Sequence, residues 1–347
     1  MKRALIISLN FNPGHVSHLT ASYLQMEELG YESVFCVDGS FISYLPQNSR
    51  LCVYSKDVVP NVDVSLFLFP SQKNLLLIRK LKRHGSKILY IFHEPLAPMN
   101  EYRKAGFSYK YLVKLWVINR ISRLTIKWSD AVLLPSKKAV DLYKANALYR
   151  NPHYHYLPLL YSDERTDELS QMERRYFGYI GTVAADHSFE EYLEFVKWAV
   201  SEKRLPQLSF LIATKSEFVV PKLLEDSSRV TILKGKPMSD EEINKCYASS
   251  FAIWNAYVRT TQSGVLAKSF MFGTPAIVLK KNLSEFAKDG LEVVAIEDNT
   301  SFYDVETAIL RITSSFPHFS KAARKRFEDT FFYVRYNNTF KNILSSL

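Results

Sequence analysis

Cysteine is scarce in this 347-residue chain: only Cys36, Cys52 and Cys246 occur. They are odd in number, far apart in the sequence and outside any Cys-x-x-Cys or Cys/His spacing. That excludes a disulfide framework and a structural zinc site, and makes a reducing, cytoplasmic compartment the expectation. No stretch approaches the roughly 18 to 20 uninterrupted apolar residues of a membrane-spanning helix. The opening "MKRALIISLN" sets two basic residues before an apolar run, yet the run is short and breaks at Asn10 without a small-residue cleavage site. It reads as a first buried strand, not as a signal peptide. Also missing are a G-x-G-x-x-G fingerprint, an Asp-x-Asp pair, a repeat of solenoid length and any low-complexity tract. Helix-turn-helix, finger, RRM and KH signatures are absent too, so nucleic acid is not an expected partner.

What is present describes a folded protein, with 47% hydrophobic and 23% charged residues. The length exceeds one ordinary core and suggests two domains. A net charge of +10 favours anionic partners such as phosphorylated metabolites or an acidic bilayer surface.

Short strand-like runs alternate with amphipathic stretches along almost the whole chain. In the first half these runs are "RALIISLN", "YESVFCVD", "VDVSLFLFP", "KILYIFHEP" and "DAVLLPS". The polar "YSDERTDELSQM" around 161–172 lacks apolar periodicity and reads as a linker. The alternation then restarts with "RYFGYIGTV", "QLSFLIATKS", "RVTILKG", "FAIWNAY", "TPAIVLK" and "LEVVAIED". Apolar strands separated by helices imply parallel sheets covered on both faces. Ligands of such sheets sit at the carboxyl ends of the strands.

Those ends supply the candidate residues. After "FAIWNAY", the segment from Gln262 enters a helix at Ser263-Gly264, where unpaired backbone N–H groups favour an anion. Ser263 reads equally as a plain helix cap. The turn "LNFNPGHVSHL" places Asn12, Gly14 and His15 after the first strand, and "YIFHEP" places His93 and Glu94 after another. A histidine and a carboxylate there suit general acid/base work or contact with a substrate hydroxyl, or a purely structural role. "YIGTV" borders the second sheet with Gly181 and Thr182, and "IATKSE" puts Lys215 where its ammonium can meet a diphosphate or simply be solvated. Two stretches, 73–87 and 101–127, are basic and apolar together, the second interleaving Phe107, Tyr109, Tyr111 and Trp116 with Arg and Lys. Such helices suit the interface of an anionic membrane, and equally a solvated helix face.

In this order the motifs resemble those of the GT-B glycosyltransferases, specifically the retaining group of family 4 (glycosyl transferases group 1). The resemblance rests on the glycine-containing first turn, "HEP", "SDAVLLPSKKAVDLY", "FGYIGTV", "SGVLAKSFMFGTPAIV" and "SEFAKDGLEVVAIED", and covers nearly all of the chain. It implies an α/β fold of two Rossmann-like doubly wound domains facing a central cleft. Residues 1–165 would form the acceptor-side domain, 172–325 the nucleotide-sugar domain, and 326–347 a helix returning to the first. The implied ligand is a nucleotide sugar, its diphosphate cradled by Gln262, Ser263, Gly264 and Val265, with Gly181, Thr182 and Lys215 nearby. The resemblance puts His93 near the transferred sugar, with Glu94 beside it, and Asn12, Gly14 and His15 on the acceptor side. It implies no metal and no cofactor beyond the donor.

The family often carries two glutamates separated by seven residues, the second binding the ribose; here those positions are Thr260 and Lys268. A lysine cannot accept the hydroxyl hydrogen bonds that a carboxylate accepts, so Lys268 must meet the donor differently or not at all. The implied activity is transfer of a sugar to a hydroxyl of a bacterial glycan or lipid-linked acceptor with retention of configuration, by a protein peripheral at the inner face of the cell membrane. The alternative, raised by Thr260 and Lys268, is a catalytically inactive GT-B-like partner subunit of a glycan assembly complex.

Overall fold

Apolar runs too short for helices become the strands of two parallel sheets. The computed structural model describes residues 1–93, 95–96, 102–103, 109–258 and 262–347. They form two units: Met1–Ser162 with Phe332–Leu347, and Asp163–Phe331.

The first unit holds β1 (Lys2–Ser8), β2 (Tyr31–Val37), β3 (Leu51–Val53), β4 (Val64–Phe67), β5 (Lys87–Ile91), β6 (Ala131–Leu134) and β7 (Tyr154–Tyr156). Their order in the sheet is β3-β2-β1-β4-β5-β6-β7, and neighbouring strands are parallel. Its helices include α1 (Val16–Glu28), α2 (Lys73–Arg83), α3 (Tyr109–Trp128) and α4 (Lys137–Ala145). Successive residues of β1 point to opposite faces. Ala4 and Ile6 therefore join one core with Leu19 and Met26 of α1, and Leu5 and Ile7 join another with Leu77, Ile78 and Leu81 of α2. The sequence gives no sign of β3 and β7, because three-residue edge strands are too short to show a period. Cys36 and Cys52, distant in sequence, are in-register neighbours on β2 and β3, buried and free.

In the second unit, β8 (Tyr176–Ile180), β9 (Ser209–Ala213), β10 (Val230–Leu233), β11 (Ser250–Asn255), β12 (Ala276–Leu279) and β13 (Val293–Ile296) fall on the six runs expected from the sequence. The sheet order is β10-β9-β8-β11-β12-β13, again parallel. The helices are α5 (Asp167–Ser170), α6 (Phe189–Ser201), α7 (Lys222–Glu225), α8 (Asp240–Ala248), α9 (Gly264–Met271), α10 (Phe302–Ser314) and α11 (Phe316–Thr330). A reciprocal capping box between Ser239 and Glu242 opens α8. Gly273, at φ +65°, closes α9: its N–H donates to the Phe270 carbonyl and that of Thr274 to the Ser269 carbonyl, both at 2.9 Å. This left-handed cap stops the helix and turns the chain into β12.

The polar segment read as a linker is tied to the second unit. Arg324 Nη1 donates to Asp163 Oδ1 at 3.0 Å, and Thr166 caps α5. The last helix, α12 (Asn337–Ser345), belongs to the first unit, where Phe340 and Ile343 fill the core beside α1. Among the described residues no helix is long and apolar enough to cross a membrane.

Candidate functional site

In the second sheet the strand order reverses between β8 and β11, since β9 and β10 lie on one side of that pair and β12 and β13 on the other. The crevice outside the carboxyl ends of such a pair is where doubly wound sheets bind ligands. Gly181 leaves β8 there with φ +156°, and Tyr257 and Ser263 follow β11. A Cβ built on Gly181 would lie 3.4 Å from the Tyr257 hydroxyl and 3.9 Å from Val265 Cγ2. The β8 turn and the first turn of α9 therefore lie within ordinary contact distance of each other at this glycine.

Ser263 is the N-cap of α9: its Oγ accepts from Leu266 N at 3.2 Å and from Asn255 Nδ2 at 2.8 Å. The structure shows the capping role, which fixes the start of the helix. Gly264 is exposed, while Val265 and Gln262 are half-buried. Thr182 directs its carbonyl inward, accepting from Tyr179 Oη at 2.6 Å with His187 Nδ1 at 3.1 Å. Lys215, just past β9, is exposed and has no ion-pair partner among the described residues. A helix start, a glycine and an exposed ammonium are groups that suit a phosphate ester or diphosphate.

Lys268 has a different environment. It is 7% exposed, and its Nζ lies 2.9 Å from Glu164 Oε2 and 3.5 Å from Asp240 Oδ1. Glu164 also accepts from Asn244 Nδ2 at 2.9 Å. Burial raises the carboxyl pKa of Asp240, with Lys268 opposing and Glu164 reinforcing. Lys268 therefore joins α9 to the segment entering the second unit and to the start of α8.

The first sheet reverses between β1 and β4. At that end Asn12 Oδ1 accepts from Gly14 N at 3.2 Å, shaping the turn that carries His15. Phe69 is sandwiched between His15, at a ring-centroid distance of 3.3 Å, and His93, at 4.5 Å. His18 stands edge-on to His93 at 6.0 Å, its Nδ1 3.0 Å from the Leu160 carbonyl oxygen. A carbonyl can only accept, so that contact places a proton on Nδ1 of His18. Burial, then His18, then His15 hold the pKa of His93 well below the usual imidazole value, against a hydrogen bond to the Leu68 backbone.

The structure thus brings His15 and His93 together with Asn12 and Gly14 in the first unit, and Gly181, Thr182, Ser263 and Val265 together in the second. Glu94 and Thr260 lie outside the described residues. Sequence reasoning missed His18, Phe69, Asn255 and Tyr257. His18 is signalled only by its place three residues after His15, and Tyr257 stands at the end of the apolar run "FAIWNAY", where an aromatic suggests only packing.

No family model matches the chain, and no curated protein matches it in sequence. Solved structures do match its fold. HepE of Anabaena, solved with UDP and glucose, superposes with a TM-score of 0.72 at 12% identity, covering 100% of both chains. Sucrose-phosphate synthase of Thermosynechococcus elongatus gives 0.68 at 11% over 100% of both chains. A glycosyltransferase of Rickettsia africae gives 0.68 at 12% over 99% of both. The fold is that of the GT-B glycosyltransferases.

Proposed function

We propose that the chain transfers a sugar from a nucleotide-sugar donor to a hydroxyl of a bacterial glycan or lipid-linked acceptor, with retention of configuration. The observation that carries this reading is the meeting of Gly181 with the first turn of α9 at the reversal point of the second sheet. As the donor C1–O bond breaks, charge grows on the leaving diphosphate. Backbone N–H groups at Ser263, Gly264 and Val265 and the ammonium of Lys215 stabilise it as preorganised positive ends. His93, kept neutral by its surroundings, orients a sugar hydroxyl, and the turn of Asn12, Gly14 and His15 receives the acceptor. Lys268 serves the site indirectly, by fixing α9. The same reading takes the positive charge from the helix start and Lys215, with no metal or further cofactor.

The test is binding of UDP, GDP, CDP and ADP by calorimetry and thermal shift, since a ligand that binds only the folded state raises its melting temperature. One nucleotide should be preferred. Ser263→Trp should abolish its binding by filling the crevice, and Lys215→Ala should weaken it about 3- to 10-fold, the effect of losing an exposed charge-assisted contact. A folded protein that binds none of the four would turn the reading to a non-catalytic partner subunit.

The same reading includes an anionic membrane surface as partner of the first unit. Helices α2 and α3 pack together and carry basic but no acidic residues. Their outer faces expose Leu76 (68%), Tyr109 (81%) and Trp116 (51%). Arg120 lies over the Trp116 ring at 5.0 Å. Aromatic and basic side chains on one surface fit the headgroup region. Part of the stretch 101–127 lies outside the described residues. The protein should co-sediment with vesicles containing phosphatidylglycerol and not with neutral phosphatidylcholine vesicles, and Trp116→Glu with Arg120→Glu should release it. Equal sedimentation with both vesicle types would defeat this assignment.

A further inference from the structure

Tyr257 is 4% exposed and firmly held. His187 stacks on its ring at a centroid distance of 4.3 Å with planes 10° apart. Its backbone carbonyl accepts from Asn282 Nδ2 at 2.6 Å. The phenol hydroxyl, by contrast, is buried without a hydrogen-bond partner among the described residues. The Asn255 side chain stands beside the hydroxyl, but its contact falls short of hydrogen-bond geometry, and one of its Nδ2 protons goes to Ser263 Oγ at 2.8 Å. A buried hydroxyl without a partner costs about 1–3 kcal/mol of desolvation. Native chains rarely leave such groups, and the exceptions call for an explanation.

The hydroxyl lies where the β8 turn and α9 converge, 3.4 Å from the position of a Gly181 Cβ that is itself 3.9 Å from Val265 Cγ2. That position is occupied by no side chain because residue 181 is glycine. A fixed O–H donor therefore adjoins a helix start at a point where the backbone is bare. Burial, with the Asp186 carboxylate adding and the nearby Asn255 amide opposing, pushes the phenol above its usual range, so it stays protonated and able to donate.

Resting on the donor-site reading above, we propose that Tyr257 is a further ligand contact, its hydroxyl donating to an anionic oxygen of a nucleoside diphosphate seated on the first turn of α9. The ligand oxygen supplies the partner that the protein does not. Tyr257 then favours diphosphates over the nucleoside alone, and it does so from a position that a sequence reading assigns to the core.

Tyr257→Phe separates this role from a structural one, because it keeps the ring and its stack on His187. Its affinity is to be measured by calorimetry for whichever of UDP, GDP, CDP and ADP the wild type prefers, and for the corresponding nucleoside. We expect the diphosphate Kd to rise about 10- to 30-fold, as for loss of a hydrogen bond to a charged group. The nucleoside Kd should be unchanged, and the melting temperature without ligand should equal or exceed that of the wild type. An unchanged diphosphate Kd alongside normal wild-type binding overturns the tyrosine contact and leaves the donor site standing. A fall in melting temperature, or equal weakening of diphosphate and nucleoside, assigns Tyr257 to the scaffold and overturns the contact as well. Absence of nucleotide binding in the wild type overturns the contact and the donor-site reading together.

Discussion

Replacing His93 by alanine is expected, on the proposed reading, to lower the rate of sugar transfer about 100-fold while leaving the Kd for the preferred nucleoside diphosphate within about twofold, because a residue proposed to orient the reacting sugar would act on geometry and not on nucleotide binding. The same substitution has a consequence for stability. The folded pKa of His93 is depressed by burial, by His18 and by His15, whereas the unfolded imidazole titrates near about 6.5. As the pH falls through that value the unfolded chain gains a proton that the folded chain refuses. Stability is therefore lost as pH falls from about 6.5 toward the depressed folded value. His93→Ala should flatten that loss. Urea unfolding midpoints between pH 7.5 and pH 5 measure it, and parallel pH slopes for wild type and variant would contradict the assigned charge state.

Replacing Lys268 by methionine should destabilise the second unit by about 2–3 kcal/mol, because it strands two carboxylates beside one another in a poorly solvated place. The upper range for broken buried pairs is discounted here, as the side chains of Glu164 and Asp240 remain 19% and 30% exposed. Methionine nearly preserves the volume of the lysine stem, so the effect isolates charge. Adding Glu164→Gln should recover part of the loss, and the coupling in a double-mutant cycle measures the pair. A single variant within about 0.5 kcal/mol of wild type in urea would show that the cluster contributes nothing. Nucleotide affinity at a temperature where the variant is folded should fall less than on Ser263→Trp, because Lys268 fixes α9 and does not line the crevice.

The strands of the second sheet were legible because each is a short apolar run bounded by turns, from "RYFGYIGTV" to "LEVVAIED". The helix at Ser263 was legible for a related reason, its cap and its glycine stop being local signals. The role of Lys268 was not, since its partner Glu164 lies 104 residues away in a segment that looks like a bare connector. Charge pairs of long sequence separation leave no periodic trace. Tyr257 was hidden by the opposite cause: an aromatic after an apolar strand looks like packing, and only three-dimensional structure shows that its ring packs while its hydroxyl does not bond. His18 is similar, because a histidine on an amphipathic helix gives no hint that a carbonyl from residue 160 will fix its proton.

Tyr333, just before the last helix, and Phe340 and Ile343 within it complete a core whose other members lie in the first 160 residues, Leu19 and Met26 among them. During translation the amino-terminal unit therefore waits with that apolar face uncovered, while residues 163–331 emerge as one uninterrupted stretch able to close on itself first. Domains ordinarily fold in the order they leave the ribosome. Here residues 332–347, which the first unit needs, leave the ribosome after the whole of the second, so the unit that begins the chain should be the last to be completed.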